Sequence, residues 1–277
     1  MFTSGFVLKA SASSSTDAIS IVPPGGSFYT GYSFYNMTIQ TTTGGGRAAV
    51  LLSTYGTSNT NMASIHFNRT YLVSNSSATN NNGIYIANDP SNPNGGVFDL
   101  VVENSRIYGG ISLLNAGDSL RFLNNLFTGP NAGLSGNQVS GAGQIVFSGN
   151  NVTSTGGGVV LECAIGARIT HNEFEQSVAS TEGHSAIIDI NGANCTVDST
   201  SITENQIQAN AGIGTPLLIR TANAINTKID SNRLATPTSY SGISNGSSTT
   251  LCGNNYFSTG TPHVSGTAPG ATWGNGC

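Results

Sequence analysis

The feature that most constrains this chain is a short pattern returning in phase along most of its length: apolar, x, x, Asn, x, apolar. Three consecutive copies agree closely, Ile169 to Phe174 around Asn172, Ile202 to Ile207 around Asn205 and Ile229 to Leu234 around Asn232. Further copies centre on Asn254 and Asn150, and looser ones on Asn124, Asn104, Asn68 and Asn36, which makes nine. The position three before the asparagine is apolar in seven of them (Ile65, Val101, Phe147, Ile169, Ile202, Ile229, Leu251), Ser33 and Arg121 being the exceptions. Successive asparagines lie 20 to 36 residues apart while the phase holds, so one coil of about twenty residues repeats with insertions at its corners.

Between the asparagines lie short β-branched runs with a Gly, Ser or Pro lead-in: Gly83 to Ile86, Gly110 to Leu113, Gly158 to Leu161, Ser185 to Ile188 and Pro216 to Ile219. Two or three such strands per coil cannot bury their apolar faces alone and must stack on like coils. A β-sandwich is also strand-rich, but it would not keep one residue type in phase over nine units. The expected fold is all-β, a single-stranded right-handed parallel β-helix (solenoid) of about nine rungs, a rod about 40 Å long at about 4.8 Å per rung. The coil is expected over 32–257, with an N-terminal cap at 1–31 and a C-terminal tail or cap at 258–277. The asparagine is given two tasks: to take the left-handed backbone of a sharp corner, and to bond its counterparts in the rungs above and below.

Composition supports this and excludes several functions. Charged residues are 8% of the chain against about 25% in an average soluble domain, and there are 36 glycines. A net charge of −4 with only two lysines leaves no basic stripe, so no nucleic-acid partner is expected. No apolar run spans a bilayer, so no membrane span is expected. Residues 1–15 lack a basic n-region and a continuous h-region and read as no signal peptide. Either the chain is trimmed or the protein leaves the cell without classical secretion, as a virion component released by lysis would. The cysteines show no zinc-type spacing.

The repeat resembles the right-handed parallel β-helix of the pectate-lyase-like superfamily, which includes the trimeric tailspikes of bacteriophages. The resemblance covers roughly Tyr32 to Phe257. It implies a protein acting on polysaccharide and specifies architecture more than reaction. There is no Asp-Asp pair of the polygalacturonase kind, Gly183-His184-Ser185 matches that family's Gly-His-Gly only in part, and no Asp-rich calcium cluster is present. No metal and no cofactor are expected.

Seven of the thirteen acids and two of the four histidines lie between Glu162 and Glu204. Aligning the second strands by their lead-ins puts Glu162, Asp189 and Arg220 in one outward column, with the two carboxylates about 5 Å apart. So close a pair raises one pKa, the arrangement that general acid catalysis on a glycosidic oxygen needs, and Arg220 would bind an acidic sugar or a sulfate. The alternative is an ionic ladder in which Arg220 neutralises both acids. The residue before each asparagine puts His171 next to Glu204, for proton transfer or as a surface salt bridge. Together Glu162, Asp189, His171 and Glu204 form the candidate catalytic set. Arg220, Glu173, Glu175 and His184 form the candidate substrate-binding set, with Glu182 in the same patch.

Alternation also sends Tyr85, Val160, Ile187 and Leu218 outward, an apolar row suited either to a threefold interface or to a covering segment of the same chain. Cys163 and Cys195 fall in consecutive rungs, as a disulfide or, the commoner outcome, as stacked buried thiols. Cys252 and Cys277 would clip the tail to the last rung. Aromatic residues gather at both ends, around Tyr32 and around Tyr256, and suit sealing of the core.

The leading expectation is a tailspike or tail-fibre type of protein, a homotrimer in a phage tail or outside the cell, that binds a bacterial surface polysaccharide. Whether it also cleaves, as a glycoside hydrolase or polysaccharide lyase, stays open at this point. The alternatives are a structural or decoration rod without activity, and a stand-alone secreted hydrolase or lyase.

Overall fold

The computed structural model describes residues 6–9, 17–26, 28–41, 48–54, 60–75, 81–90, 96–138, 143–153, 156–176, 186–192, 195, 197–210, 217–235, 241–258, 264–273 and 277. Strands fall into three long sheets, and each coil gives one strand to each sheet in turn. Sheet I runs from Phe6–Lys9 to Tyr256–Phe257, sheet II from Ile19–Ile21 to Val264–Gly266, and sheet III from Phe28–Tyr35 to Ala271–Trp273, with ten strands on each path. Neighbouring coils pair in parallel throughout, so the chain is a right-handed parallel β-helix. It has ten coils where the sequence pattern marks nine. Strands from 1–31 and 258–277, expected as cap and tail, join the same ladders.

Three inward columns make the core. Sheet I contributes Ile39, Leu72, Ile107, Phe127 and Phe174, sheet II Val50, Ile84, Val159 and Ile219, and sheet III Phe67, Phe122, Phe147 and Ile229, all at most 1% exposed. Burying each such side chain contributes about 1.5–3 kcal/mol relative to exposure, and most touch their equivalents one rung away. The Phe147 ring lies 5.3 Å from Phe127 and 6.1 Å from Phe174, so aromatic stacking runs along the rod axis.

The two tasks assigned to one asparagine are divided between neighbouring residues at the corner from sheet III into sheet I. The first takes left-handed backbone: Asn36, Arg69, Asn104, Asn124, Gly149, His171, Glu204, Ser231 and Asn254 have φ between 51° and 67°. The next residue turns inward and forms a buried amide ladder through Asn125, Asn150, Asn172, Asn205, Asn232 and Asn255. Asn172 is typical. Its Oδ1 accepts from the backbone and side-chain nitrogens of Asn150 at 2.9 and 3.0 Å, while its Nδ2 donates to Asn205 Oδ1 at 2.9 Å and to the Phe147 carbonyl at 2.8 Å.

The sequence pattern therefore needs a correction. At Asn36, Asn104, Asn124 and Asn254 the marker falls one residue before the ladder, and at Asn68 two before. Asn-Asn pairs such as Asn124-Asn125 and Asn254-Asn255 conceal the slip, because asparagine suits both positions. With the phase corrected the exceptions vanish: Phe34 takes the place of Ser33 and Phe122 that of Arg121, both in the inward column of Phe67 and Phe147.

The outward apolar row is also corrected. Ile187 and Leu218 are each 1% exposed and belong to the core. They share a column with Gly158 and Gly242, where an added Cβ would come within 2.6 Å of Phe174 and collide with Phe257. That column faces inward because the chain has only just left the corner, before alternation sets in. Where glycine stands a large ring fills the space from sheet I; where Ile187 and Leu218 stand they fill it themselves. Tyr85 and Val160 are half-buried in a different column, with Ser112, Ser135, Asp189 and Arg220.

Two disulfides clip the later coils: Cys163–Cys195 with Cα atoms 5.2 Å apart, and Cys252–Cys277 at 5.6 Å. The first pair is therefore bonded, not stacked as thiols. Cys252 occupies the inward column of Ile229, so its bridge ties Cys277 to the core.

Candidate functional site on the outer face of sheet III

The proposed carboxylate pair is not formed. Val160 lies opposite Asp189, and Glu162 lies opposite Asn191, two residues further along. The slip comes from aligning strands by their lead-in residues: Ile187, not a serine, takes the place of Gly158. Asp189 instead pairs with Arg220, one rung on, at 3.1 Å on sheet II, and Glu162 is exposed at its strand end. Glu173 and Glu175 point out from sheet I, flanking buried Phe174. They accept from Asn151 at 3.1 Å and from Thr153 at 3.3 Å respectively. His184 and Glu182 lie outside the described residues.

His171 and Glu204 are brought together as expected, Nε2 to Oε2 at 2.8 Å. Their side chains are 64% and 53% exposed, so in water the pair contributes little to stability. Its position matters more. Both residues are left-handed corner residues bordering the outer face of sheet III, and His171 Nδ1 lies 2.8 Å from Thr170 Oγ1 on that face.

Three residues before His171, at the start of the strand Arg168–Thr170 that leads to it, Arg168 rises from a groove of about 380 Å³ lined also by Gln144, Val146, Gly166, Ser199 and Ser201. The groove follows from the local sequence. Gly166 and Ser199 are left-handed corner residues with little or no side chain, and Ser201 is the short neighbour of Arg168 in the next rung. A depression remains between the longer Gln144 and Arg168. Thr170 and Thr203 continue the polar surface from the groove to His171 and Glu204, their hydroxyls 3.3 Å apart. These groove residues were missed in the sequence, although the residue four before the ladder asparagine is Arg121, Val146, Arg168, Ser201 and Lys228 in successive coils.

The charges on this face are unequal. Arg121 pairs with Asp99 at 3.5 Å and Lys228 with Asp230 at 3.0 Å, whereas Arg168 has no ion pair among the described residues. Burial raises the Asp230 carboxyl, but hydrogen bonds from Lys228 and Asn254, the Lys228 charge and Ser231 outweigh it and hold the group below its ordinary value. Beside the groove, hydrogen bonds from Asn226 and Ser199 hold Asp198 below its ordinary value as well. The face thus offers a guanidinium free to bind, flanked by fixed carboxylates, hydroxyls and an amide. This mixture of donors and acceptors can bond hydroxyl groups, and the small Gly166, Ser199 and Ser201 leave the depression open beside Gln144 and Arg168.

Among the described residues no group of three or more His, Cys, Asp or Glu gathers as a metal site would, and no helix is long and apolar enough to cross a membrane. No family model and no curated protein matches the sequence. Among solved structures, this chain is similar to the crystal structure of the Dettilon tailspike protein (gp208), with a TM-score of 0.43 and 12% sequence identity. The similarity covers 95% of this chain and 60% of that one, so the chain spans less than two thirds of that protein's length.

Proposed function

We propose that this protein is a tailspike or fibre type of rod that binds a bacterial surface polysaccharide along the outer face of sheet III. The observation that carries this reading is the groove at Arg168, with the His171–Glu204 pair at the far end of the same strands. Supporting it, Arg69, His171 and Glu204 hold left-handed backbone at a corner where asparagine or glycine sits with less strain. Charged side chains kept at a strained site are a reason to look for function there. Two disulfides suit work outside the cell, in a virion or an extracellular setting. Homotrimeric assembly belongs to the same reading through the resemblance to tailspikes; the apolar row, which suited either a threefold interface or a covering segment, does not support it, since Ile187 and Leu218 are buried within the chain.

The test is retention of purified protein on immobilised host capsule or lipopolysaccharide, with shortening of the polymer followed in parallel. Retention that falls at least 10-fold in Arg168→Ala, and is unchanged in Arg220→Ala on sheet II, is the expected result. Neither retention nor shortening would leave a structural rod as the better account.

A further inference from the structure

The Cys163–Cys195 disulfide stands at the head of the Arg168 groove. Cys163 follows the sheet II strand Gly157–Glu162, and Cys195 lies in the turn after the next sheet II strand, Ala186–Asn191. From the bridge the two coils run side by side into sheet III. Gly166 and Arg168 come three and five residues after Cys163, and Ser199 and Ser201 come four and six after Cys195. Four of the six groove residues thus hang from the two ends of one bridge. Beyond it, backbone bonds join the coils from Asp198 N to Ala164 O at 3.3 Å, from Gly166 N to Asp198 O at 2.8 Å and from Ser201 N to Ala167 O at 2.8 Å.

Two contrasts make the bridge a local device. The first is with the core of the same coils. The inward residues Phe147, Ile169 and Ile202 and the amides Asn150, Asn172 and Asn205 are paired without help from the bridge. Opening the bridge therefore frees the corner and leaves the rungs stacked. The second contrast is with the other disulfide. Cys163 and Cys195 are half-buried, whereas Cys252 is fully buried in the inward column of Ile229. Thiol–disulfide exchange needs the approach of a thiolate, so the bridge at the groove opens first.

We propose that the Cys163–Cys195 bridge is a redox latch on the groove, open and loose in a reducing cytoplasm, closed and competent to bind in an oxidising exterior. This rests on the reading of the groove as a binding site. The reductant is a dithiol. Its thiolate attacks one sulfur of the bridge, forming a mixed disulfide and releasing the other cysteine, and its second thiol then displaces the first. Cys163 and Cys195 end as thiols, the dithiol ends as its own disulfide, and two electrons and two protons have passed to the protein. Closing reverses these steps with a small disulfide as oxidant. With the latch open, a loop spanning 32 positions is no longer closed, and Gly166 and Arg168 are free to part from Ser199 and Ser201. A ligand must then order the groove itself, which lowers its affinity.

The experiment titrates the full chain with dithiothreitol and maps the opened bridge by alkylation and mass spectrometry. Amide hydrogen exchange and retention on host capsule or lipopolysaccharide are followed on the same samples. Cys163–Cys195 should open before Cys252–Cys277, with exchange over residues 164–168 and 197–201 faster by at least about 10-fold while residues 145–150 stay protected. Retention should fall by at least about 5-fold and return on reoxidation with glutathione disulfide. The double variant Cys163→Ser, Cys195→Ser should match the reduced protein without dithiothreitol, serine already holding left-handed backbone at Ser199 and Ser231. If that variant does not fold, reduction of the wild type supplies the same comparison. Exchange unchanged after opening, exchange raised through all three sheets, earlier opening of the buried bridge, or retention equal in both states overturns the latch. Retention absent in both states removes the glycan reading, and the exchange pattern then decides the latch alone.

Discussion

The corner between sheets III and I is built in two ways along the rod. From Asn125 to Asn255 it is joined by amides, of which Asn150, Asn172, Asn205 and Asn232 each accept two hydrogen bonds from one neighbouring rung and donate onward to the other. Before Asn125 the same position holds Met37, Thr70 and Ser105, and the chain of bonds passes through hydroxyls: Thr70 N and Oγ1 each donate to Ser105 Oγ at 3.0 Å. An amide has separate donor and acceptor ends and can bond both neighbours at once, whereas a hydroxyl has a single proton to give. The lesson is that the amide half joins successive corners through more hydrogen bonds, while charged residues in left-handed backbone stand just outside the ladder in both halves: His171 and Glu204 before Asn172 and Asn205, Arg69 before Thr70.

The largest effect should come from breaking the ladder in its middle. Asn172→Leu leaves the Asn150 nitrogens and the Phe147 carbonyl without their Asn172 partner and takes one of two bonds from Asn205 Oδ1, and should cost about 3–5 kcal/mol by urea denaturation. Ser105→Ala, at the equivalent position among the hydroxyls, strands the two Thr70 groups and takes one of two bonds from the Glu103 carbonyl, and should cost about 1–2 kcal/mol. Equal losses at the two positions would erase the distinction between the halves. His171→Asn should act in the opposite direction. It loses an exposed salt bridge but relieves strain at φ 57°, for a net gain of up to about 1 kcal/mol in thermal melts, with weaker glycan retention. The smallest effect is electrostatic. Asp230 has its carboxyl pKa lowered by folding, so its contribution is present above the unfolded carboxylate value of about 3.9 and is lost as pH falls through the lower folded value. Lys228→Met should move that acid limb upward in pH, measured by carboxylate NMR titration.

How much was legible follows from the same two positions. The solenoid, its parallel stacking and the His171–Glu204 contact were readable because apolar phase and asparagine recur together in the later coils, where the register was right. Glu162 and Asp189 were misplaced because Ile187 replaces the glycine that marks the strand start in other coils, and a two-residue slip keeps the alternation intact. The groove was missed because its signal is the smallness of Gly166, Ser199 and Ser201, which composition this rich in Gly and Ser hides. The first coils were displaced against the rest because Asn36 and Asn68 were taken as ladder residues, one and two positions before Met37 and Thr70.

The most direct test of the account is a crystal structure with an oligosaccharide cut from a retained polysaccharide. Sugar density should cross the rungs of sheet III over Arg168, within hydrogen-bond reach of Gln144, Ser199 or Ser201. Sugar bound instead at the Asp189–Arg220 pair on sheet II, or along sheet I beside Glu173 and Glu175, would contradict it.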